Sequence, residues 1–199
     1  MIRVSDDLQN MSPTTVKARI LITEDCNRNC SGCCNSYSKI MSRAQYVDDL
    51  TDLPGELKSI MITGGEPMLY PEKTQRIAEE LRGRYPSSNL YLYSALYHDN
   101  LEMIIPALDG FHYTIHEGAN KKDLFLLDKL QELVQNHKDE WSDKSFRLYV
   151  DDRVNLPVRI VPNVWTQSNI SAWITEQELL DQQPNGLPVG EQLFIYTGN

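Results

Sequence analysis

All four cysteines of this 199-residue chain fall between Cys26 and Cys34, inside the stretch TEDCNRNCSGCCNSYS (23–38). Thiols crowded into one loop serve a disulfide, a metal ion, an iron–sulfur cluster or packing, and spacing discriminates among these. Two disulfides within nine positions would need strained local bridges, and the start MIRVSDDLQNMS lacks the charged-then-apolar pattern of a secretory leader. Structural zinc usually takes two ligands from one knuckle and two from a distant pair. No second cysteine pair exists, and His98, His112, His116 and His137 lie far along the chain without knuckle spacing. What remains is Cys26, Cys30 and Cys33, a C-x3-C-x2-C triplet whose short spacers let three thiolates converge on one small inorganic body. A [4Fe–4S] cube held by three cysteines keeps one iron free of protein. Cys34 is then surplus. Packing is its first reading, with a hydrogen-atom donor or a substitute ligand as the others.

Position adds to spacing. VKARILIT (16–23) reads as a half-buried strand, so the cysteines follow its carboxyl end, where barrel enzymes keep their chemistry. Thirty residues on, LKSIMITGGEPMLYP (57–71) is a second apolar strand running into Gly64-Gly65-Glu66-Pro67. Two glycines permit positive φ and close backbone approach, and Pro67 fixes the turn that follows. An ordinary strand-to-helix turn is the plainer reading of a lone Gly-Gly. This one is not alone.

The triplet and the Gly-Gly-Glu-Pro turn, both after expected strands and in that order, resemble the radical S-adenosylmethionine (radical SAM) superfamily. The resemblance implies that SAM chelates the open iron through its amino and carboxylate groups. Reductive cleavage then leaves methionine and a 5′-deoxyadenosyl radical that abstracts a substrate hydrogen. It gives Cys26, Cys30 and Cys33 both catalytic and metal-binding roles, and places the SAM amino group at Gly64, Gly65, Glu66 and Pro67. Contacts to ribose and carboxylate fall to Ser94, Thr114 and His116 at the third and fourth strand ends, although a turn residue or a satisfied histidine is the bland alternative for each. Lys121, Arg147 and Arg159 could also meet the carboxylate, with surface solvation the plainer reading. The family usually carries an aromatic residue before its third cysteine, where this chain has Gly32. The run C-S-G-C-C-N (30–35) is similar to the C-x-G-C-x-N run of anaerobic ribonucleotide reductase activases, which implies a glycine of a partner protein as one target. A small molecule such as a nucleotide or purine precursor is the alternative target, and a non-catalytic iron–sulfur or electron-transfer module is the alternative function. An external one-electron reductant such as a flavodoxin or ferredoxin is implied for the enzyme.

Strand and helix patterns alternate along the rest of the chain, which argues for an α/β fold with a mostly parallel sheet and helices outside. EKTQRIAEELRGRYP places Ile77, Leu81 and Tyr85 on one helical face; NLYLYSALY, GFHYTIHEG, KSFRLYVDD and LPVRIVPNV are the third to sixth strands, with Pro162 breaking or bulging the last. Helices are expected near 99–108 and across 121–140. Each strand–helix unit of a full barrel takes roughly 30 residues, so the chain has room for about six. The superfamily resemblance agrees, implying an incomplete (β/α)6 TIM-like barrel. A single domain is expected over 1–199, with a barrel core at 16–165 and an extension at 166–199. Within the extension, Thr175 to Glu178 spells a capping box for a helix, and EQLFIYTG reads as a strand of unassigned place. A net charge of −9 opposes capture of phosphate backbones, so no nucleic-acid partner is expected, and no apolar run is long enough to span a membrane. A cytoplasmic oxidoreductase is the resulting expectation. Asp48-Asp49 and Asp151-Asp152 read as solvated loop charges.

Overall fold

The computed structural model describes residues 17–171, 175–183 and 186–198, with backbone alone for 167–171. The start MIRVSDDLQNMS and Val16, the first residue of the first expected strand, lie outside them. Among the described residues eight strands form one sheet: β1 (Lys17–Leu21), β2 (Gln45–Val47), β3 (Ser59–Thr63), β4 (Asn89–Ser94), β5 (Gly110–Ile115), β6 (Ser145–Asp151), β7 (Gln167–Ser171) and β8 (Glu191–Tyr196). Their spatial order is β2-β8-β1-β3-β4-β5-β6-β7. Every pairing is parallel. Parallel neighbours need crossovers, and α2 (Pro71–Arg84), α3 (Leu101–Ile104) and α4 (Lys121–Asn136) supply three of them.

Each strand divides its side chains between two faces, because successive Cβ atoms alternate. Ala18, Ile20, Ile60, Ile62, Leu90, Leu92, Phe111, Tyr113 and Leu148 belong to one buried cluster together with Ile77 and Leu81 of α2 and Leu127, Leu130 and Val134 of α4. The opposite face carries Arg19, Met61, Tyr93, His112, Thr114 and Tyr149, in register across five strands. Side chains from β1, β3, β4, β5 and β6 line a single cavity on that face, so the sheet curls about it. β2 and β7 form the edges and do not pair, which leaves the barrel open.

Two strands depart from expectation. LPVRIVPNV (156–164) is not a strand; the sixth strand of the barrel series is β7, starting at Gln167. Pro157 and Pro162 cannot donate to a ladder, and Asn163 turns the chain with φ +64°. The segment instead lies over α4, where the buried Gln131 serves as its hydrogen-bond partner. Gln131 Oε1 accepts from Val161 N–H (2.8 Å) and Trp165 Nε1 (3.0 Å), and Nε2 donates to Arg159 C=O (3.2 Å). The tail strand is now placed: β8 inserts between β1 and β2. Ahead of it, α5 (Glu176–Gln182) starts at Thr175 with both halves of the capping box made.

Substituting Gln131→Leu strands three polar groups on that segment. Unsatisfied buried groups cost about 1–3 kcal/mol each. Anaerobic guanidinium denaturation should show a loss of roughly 2–4 kcal/mol, whereas Gln135→Leu on the exposed side of α4 should stay within about 0.5 kcal/mol.

Candidate functional site

Beyond Leu21 the chain stays with β3. Ile22 N–H donates to Thr63 C=O (2.9 Å), Gly65 N–H to Thr23 C=O (2.7 Å) and Glu66 N–H to Asp25 C=O (2.7 Å), which carries the pairing past both strand ends. A Cβ on Gly65 would lie 2.1 Å from the Asp25 carbonyl oxygen, and one on Gly64 2.6 Å from that of Thr23. Close approach therefore requires these glycines. Positive φ does not, since neither residue has it. From the far end of the cysteine loop, Asn35 Nδ2 donates to Gly64 C=O at 2.6 Å.

Between these contacts the loop makes a β-turn, Cys30-Ser31-Gly32-Cys33, closed by Cys33 N–H to Cys30 C=O (3.3 Å). Gly32 has φ +77°, the conformation that the third residue of a type II turn needs. An aromatic side chain there would be strained, which explains the departure from the superfamily pattern. A short 3-10 turn, Cys34–Ser36, follows, with Ser36 N–H on Cys33 C=O at 2.9 Å.

Ion pairs hold the loop from the other side of the barrel. Arg28 pairs with Asp123, whose second oxygen caps α4 by accepting from Asn120 N–H (2.7 Å). Arg153, just beyond β6, donates to Ser31 Oγ (2.6 Å), pairs with Glu117 (2.8 Å), and grips both Asp151 oxygens (2.9 and 2.7 Å). Asp151 is only 3% exposed, which corrects its reading as a solvated loop charge; Asp152 beside it is exposed. The Arg153 guanidinium holds the Asp151 carboxyl below its usual range.

Cys26, Cys30 and Cys33 line one cavity of about 320 Å³ together with Gly64, Gly65, Glu66, Ser94, Thr114 and His116. Pro67 does not reach it, and starts the 3-10 turn Pro67–Leu69 behind the bend. Glu66 is 2% exposed, with its carboxylate fully engaged: Met68 N–H (3.0 Å) and Ser94 Oγ (2.5 Å) bind one oxygen and Ala95 N–H (2.8 Å) the other. Burial pushes its pKa up, and those donors oppose the push. His116 is pushed down to about 4 by burial, with Arg28 and Arg153 acting in the same direction, so it is neutral at neutral pH.

The thiols differ among themselves. Burial raises Cys26 and Cys30, whereas Cys33 is lowered to about 6, chiefly by the Cys34 thiol and then by the N–H groups of Asn35 and Ser36. Cys34 is raised because it keeps its proton and donates it in a hydrogen bond to Cys33, with burial acting in the same direction. Among the described residues no three His, Cys, Asp or Glu side chains are grouped to hold a single metal ion. The three thiols line a wall instead.

Lys121 and Arg159 are exposed and Arg147 lies on the curled face, and none of the three lines the cavity; Arg19 and Arg28 do. Arg19 had a sequence signal: it interrupts an apolar strand at a position alternating with Ala18 and Ile20, which places it on the opposite face. Arg28 sits within the cysteine loop itself. Arg153 had none, because its partners Ser31 and Glu117 are distant in sequence.

An open parallel barrel with a triad of thiols in the loop after its first strand is the class of protein described so far. Residues 16–109 match the family model described as a 4Fe-4S single cluster domain. The triplet and the Gly-Gly-Glu-Pro bend both lie within that match. No curated protein matches the sequence. Among solved structures, one similar chain is BtrN in a crystal structure with AdoMet and 2-DOIA: 18% identity, TM-score 0.46, covering 74% of this chain. This chain spans 61% of BtrN, a likeness too remote to assign substrate or mechanism. Among the described residues no helix is long and apolar enough to cross a membrane.

Two outcomes follow from this geometry. Gly65→Ala forces the bend away from Asp25 and should lose cluster incorporation, measured as iron and sulfide per chain after anaerobic reconstitution; Gly55→Ala, with nothing within 4 Å of the new methyl group, should retain it. A carboxyl group depressed by folding contributes stability that is fully present above its unfolded pKa of about 4 and is lost as pH falls through the lower folded value. Asp151→Asn should therefore flatten the acid limb of a thermal-stability profile below about pH 4.

Proposed function

We propose that this chain is a radical SAM enzyme that removes a hydrogen atom from a small molecule held within the open barrel. One observation carries the reading: the three thiols of the triplet and the Gly-Gly-Glu bend face a common cavity at the carboxyl ends of the strands. The donor set fits the cluster of the family. Cys26, Cys30 and Cys33 would hold three irons, and Cys34, turned toward Cys33 and Asn35, leaves the fourth for SAM. Cys33, already near pKa 6, loses its proton readily on metal binding. When bound, cluster and SAM together supply the 5′-deoxyadenosyl radical, using an electron from an external donor such as a flavodoxin or ferredoxin.

The remaining residues orient and exclude water. Glu66 fixes the Ser94–Ala95 end of β4 against the glycine bend and sets one wall for SAM. Gly64 and Gly65 present bare backbone there, although Asn35 already occupies one lone pair of the Gly64 carbonyl. Ser94, Thr114 and His116 remain the proposed contacts for ribose and carboxylate, with Ser94 Oγ donating to Glu66 and accepting from Leu96 N–H (3.0 Å), which leaves it one lone pair for an incoming hydroxyl. A second cavity of about 240 Å³ adjoins the first through Arg19, Cys34 and Asn35. That added concave volume supports a small-molecule substrate over a partner-protein glycine, for which the local C-S-G-C-C-N likeness stands alone.

Anaerobic reconstitution with iron and sulfide, reduction with dithionite and chromatography of a SAM reaction tests the reading. Release of 5′-deoxyadenosine is expected from the wild type and not from Cys26→Ser, Cys30→Ser or Cys33→Ser, while Cys34→Ala retains cluster and product. A reducible cluster without 5′-deoxyadenosine would leave an electron-transfer module, and colourless zinc-bearing protein would end the iron–sulfur reading altogether.

A further inference from the structure

We propose that the second cavity is the substrate site, and that it takes a small zwitterion, an amine–carboxylate with an apolar body. The inference rests on the radical SAM reading and names the substrate class for it.

Its polar end is an ion pair left incomplete at both ends. Arg19 Nε donates to Glu191 Oε1 at 2.6 Å. Arg19 Nη2 meets only the Met61 sulfur, at 3.7 Å, a weak acceptor. Among the described residues no oxygen accepts from Nη1 or Nη2, and nothing donates to Glu191 Oε2. The Glu191 side chain is 3% exposed and that of Arg19 26%, so the pair is largely withdrawn from bulk water while its spare atoms face the cavity. Buried donors and acceptors left unmade are costly, and an ion pair out of water is favourable only when its outer lone pairs and protons find partners. A ligand supplies them here.

Charge decides what kind. An anion would gain from Arg19 and be repelled by Glu191 beside it; a cation would face the reverse. A ligand carrying both a carboxylate and an ammonium meets spare N–H groups with one and the spare oxygen with the other, and adds no net charge to the buried site. Around that pair the wall is apolar: Ile40 and Met41 from α1 (Ser38–Met41) and its flank, Leu179 from α5, Leu187 and Leu193. Gly186 closes the wall tightly, since its own Cβ would fall 2.5 Å from Ile40 Cγ1. Arg19 and Cys34 belong to both cavities, so a ligand seated here lies next to the thiol cavity.

Ligand-observed NMR titration of the reconstituted holoprotein, with SAM saturating so that amino acids cannot occupy its place, tests this. The probes are L-leucine, N-acetyl-L-leucine without the ammonium, and L-leucinamide without the carboxylate. L-Leucine should bind at least about tenfold more tightly than either singly charged probe, a difference of about 1.4 kcal/mol. The paired variant Arg19→Gln with Glu191→Gln, which removes both charges together, should erase that preference, and Leu187→Trp should fill the cavity and abolish binding of L-leucine. Equal affinity for the three probes, or binding undisturbed by Leu187→Trp, overturns the inference while the functional reading stands. Failure of SAM itself to bind overturns both.

Discussion

Everything at the site depends on two loops lying backbone to backbone. Gly64 and Gly65 pack against Thr23 to Asp25 with no room for a single methyl group, and two hydrogen bonds of 2.7 Å hold them there. The cysteine loop is long and has little apolar side-chain burial of its own, so its shape comes from such contacts rather than from a core. Pairing with the neighbouring strand's extension gives it the rigidity of the sheet. Three thiols that must meet one inorganic body gain from this, because ordering a loop at the moment of binding costs conformational entropy. The second motif thus acts first as the seat of the first one, and only then as a wall for a cofactor.

The curl of the sheet supplies what two adjacent strands cannot. One face is mostly apolar and packs on helices, which drives folding by burial. The other faces inward, and carries Arg19, His112, Thr114 and the tyrosines Tyr91, Tyr93 and Tyr149. His112 lies between Tyr91, Tyr93 and Tyr149, with ring centroids at 5.4, 4.3 and 5.9 Å, and burial pushes it down to about 4. At neutral pH it is an uncharged aromatic filler. Its bulk supports Tyr93 and Tyr149, which reach the cavity, and the Arg19 guanidinium stacks over Tyr93 at 5.4 Å. The charged residues that line the two cavities are Arg19, Arg28, Glu66 and Glu191.

Much of this was legible in the sequence because it is local. Strands β1, β3, β4, β5 and β6 announce themselves by alternation, α2 and α4 by four-residue steps, and α5 by Thr175 and Glu178. The sixth strand was not legible: VRIV alternates like a strand, but Gln131, a polar residue hidden on an otherwise apolar helix face, claims its backbone for α4. β8 could be recognised as a strand but not placed, since parallel partners carry no turn to fix their order. At the site, the thiols and glycines were read from spacing. Arg153 and the burial of Asp151 were not, because they follow from curling β6 round to the loop after β1, a relation no nearby residues encode.

The clasps also divide the work of holding the loop. Backbone pairing at Gly65 and Glu66 sets its depth against β3, Arg28 ties its middle to the start of α4, and Arg153 ties its turn to the end of β6. Of the charged clasps, the Arg28–Asp123 pair is mostly buried and the Arg153 guanidinium is about one-third exposed, so salt screens the second more than the first. Backbone contact at the glycines is not screened and cannot adjust around a Cβ. The loop's position is therefore fixed at the bend and trimmed at the rim. Rim charges can rearrange around a substitution, whereas the two-glycine seat beneath the thiols leaves no room for a Cβ.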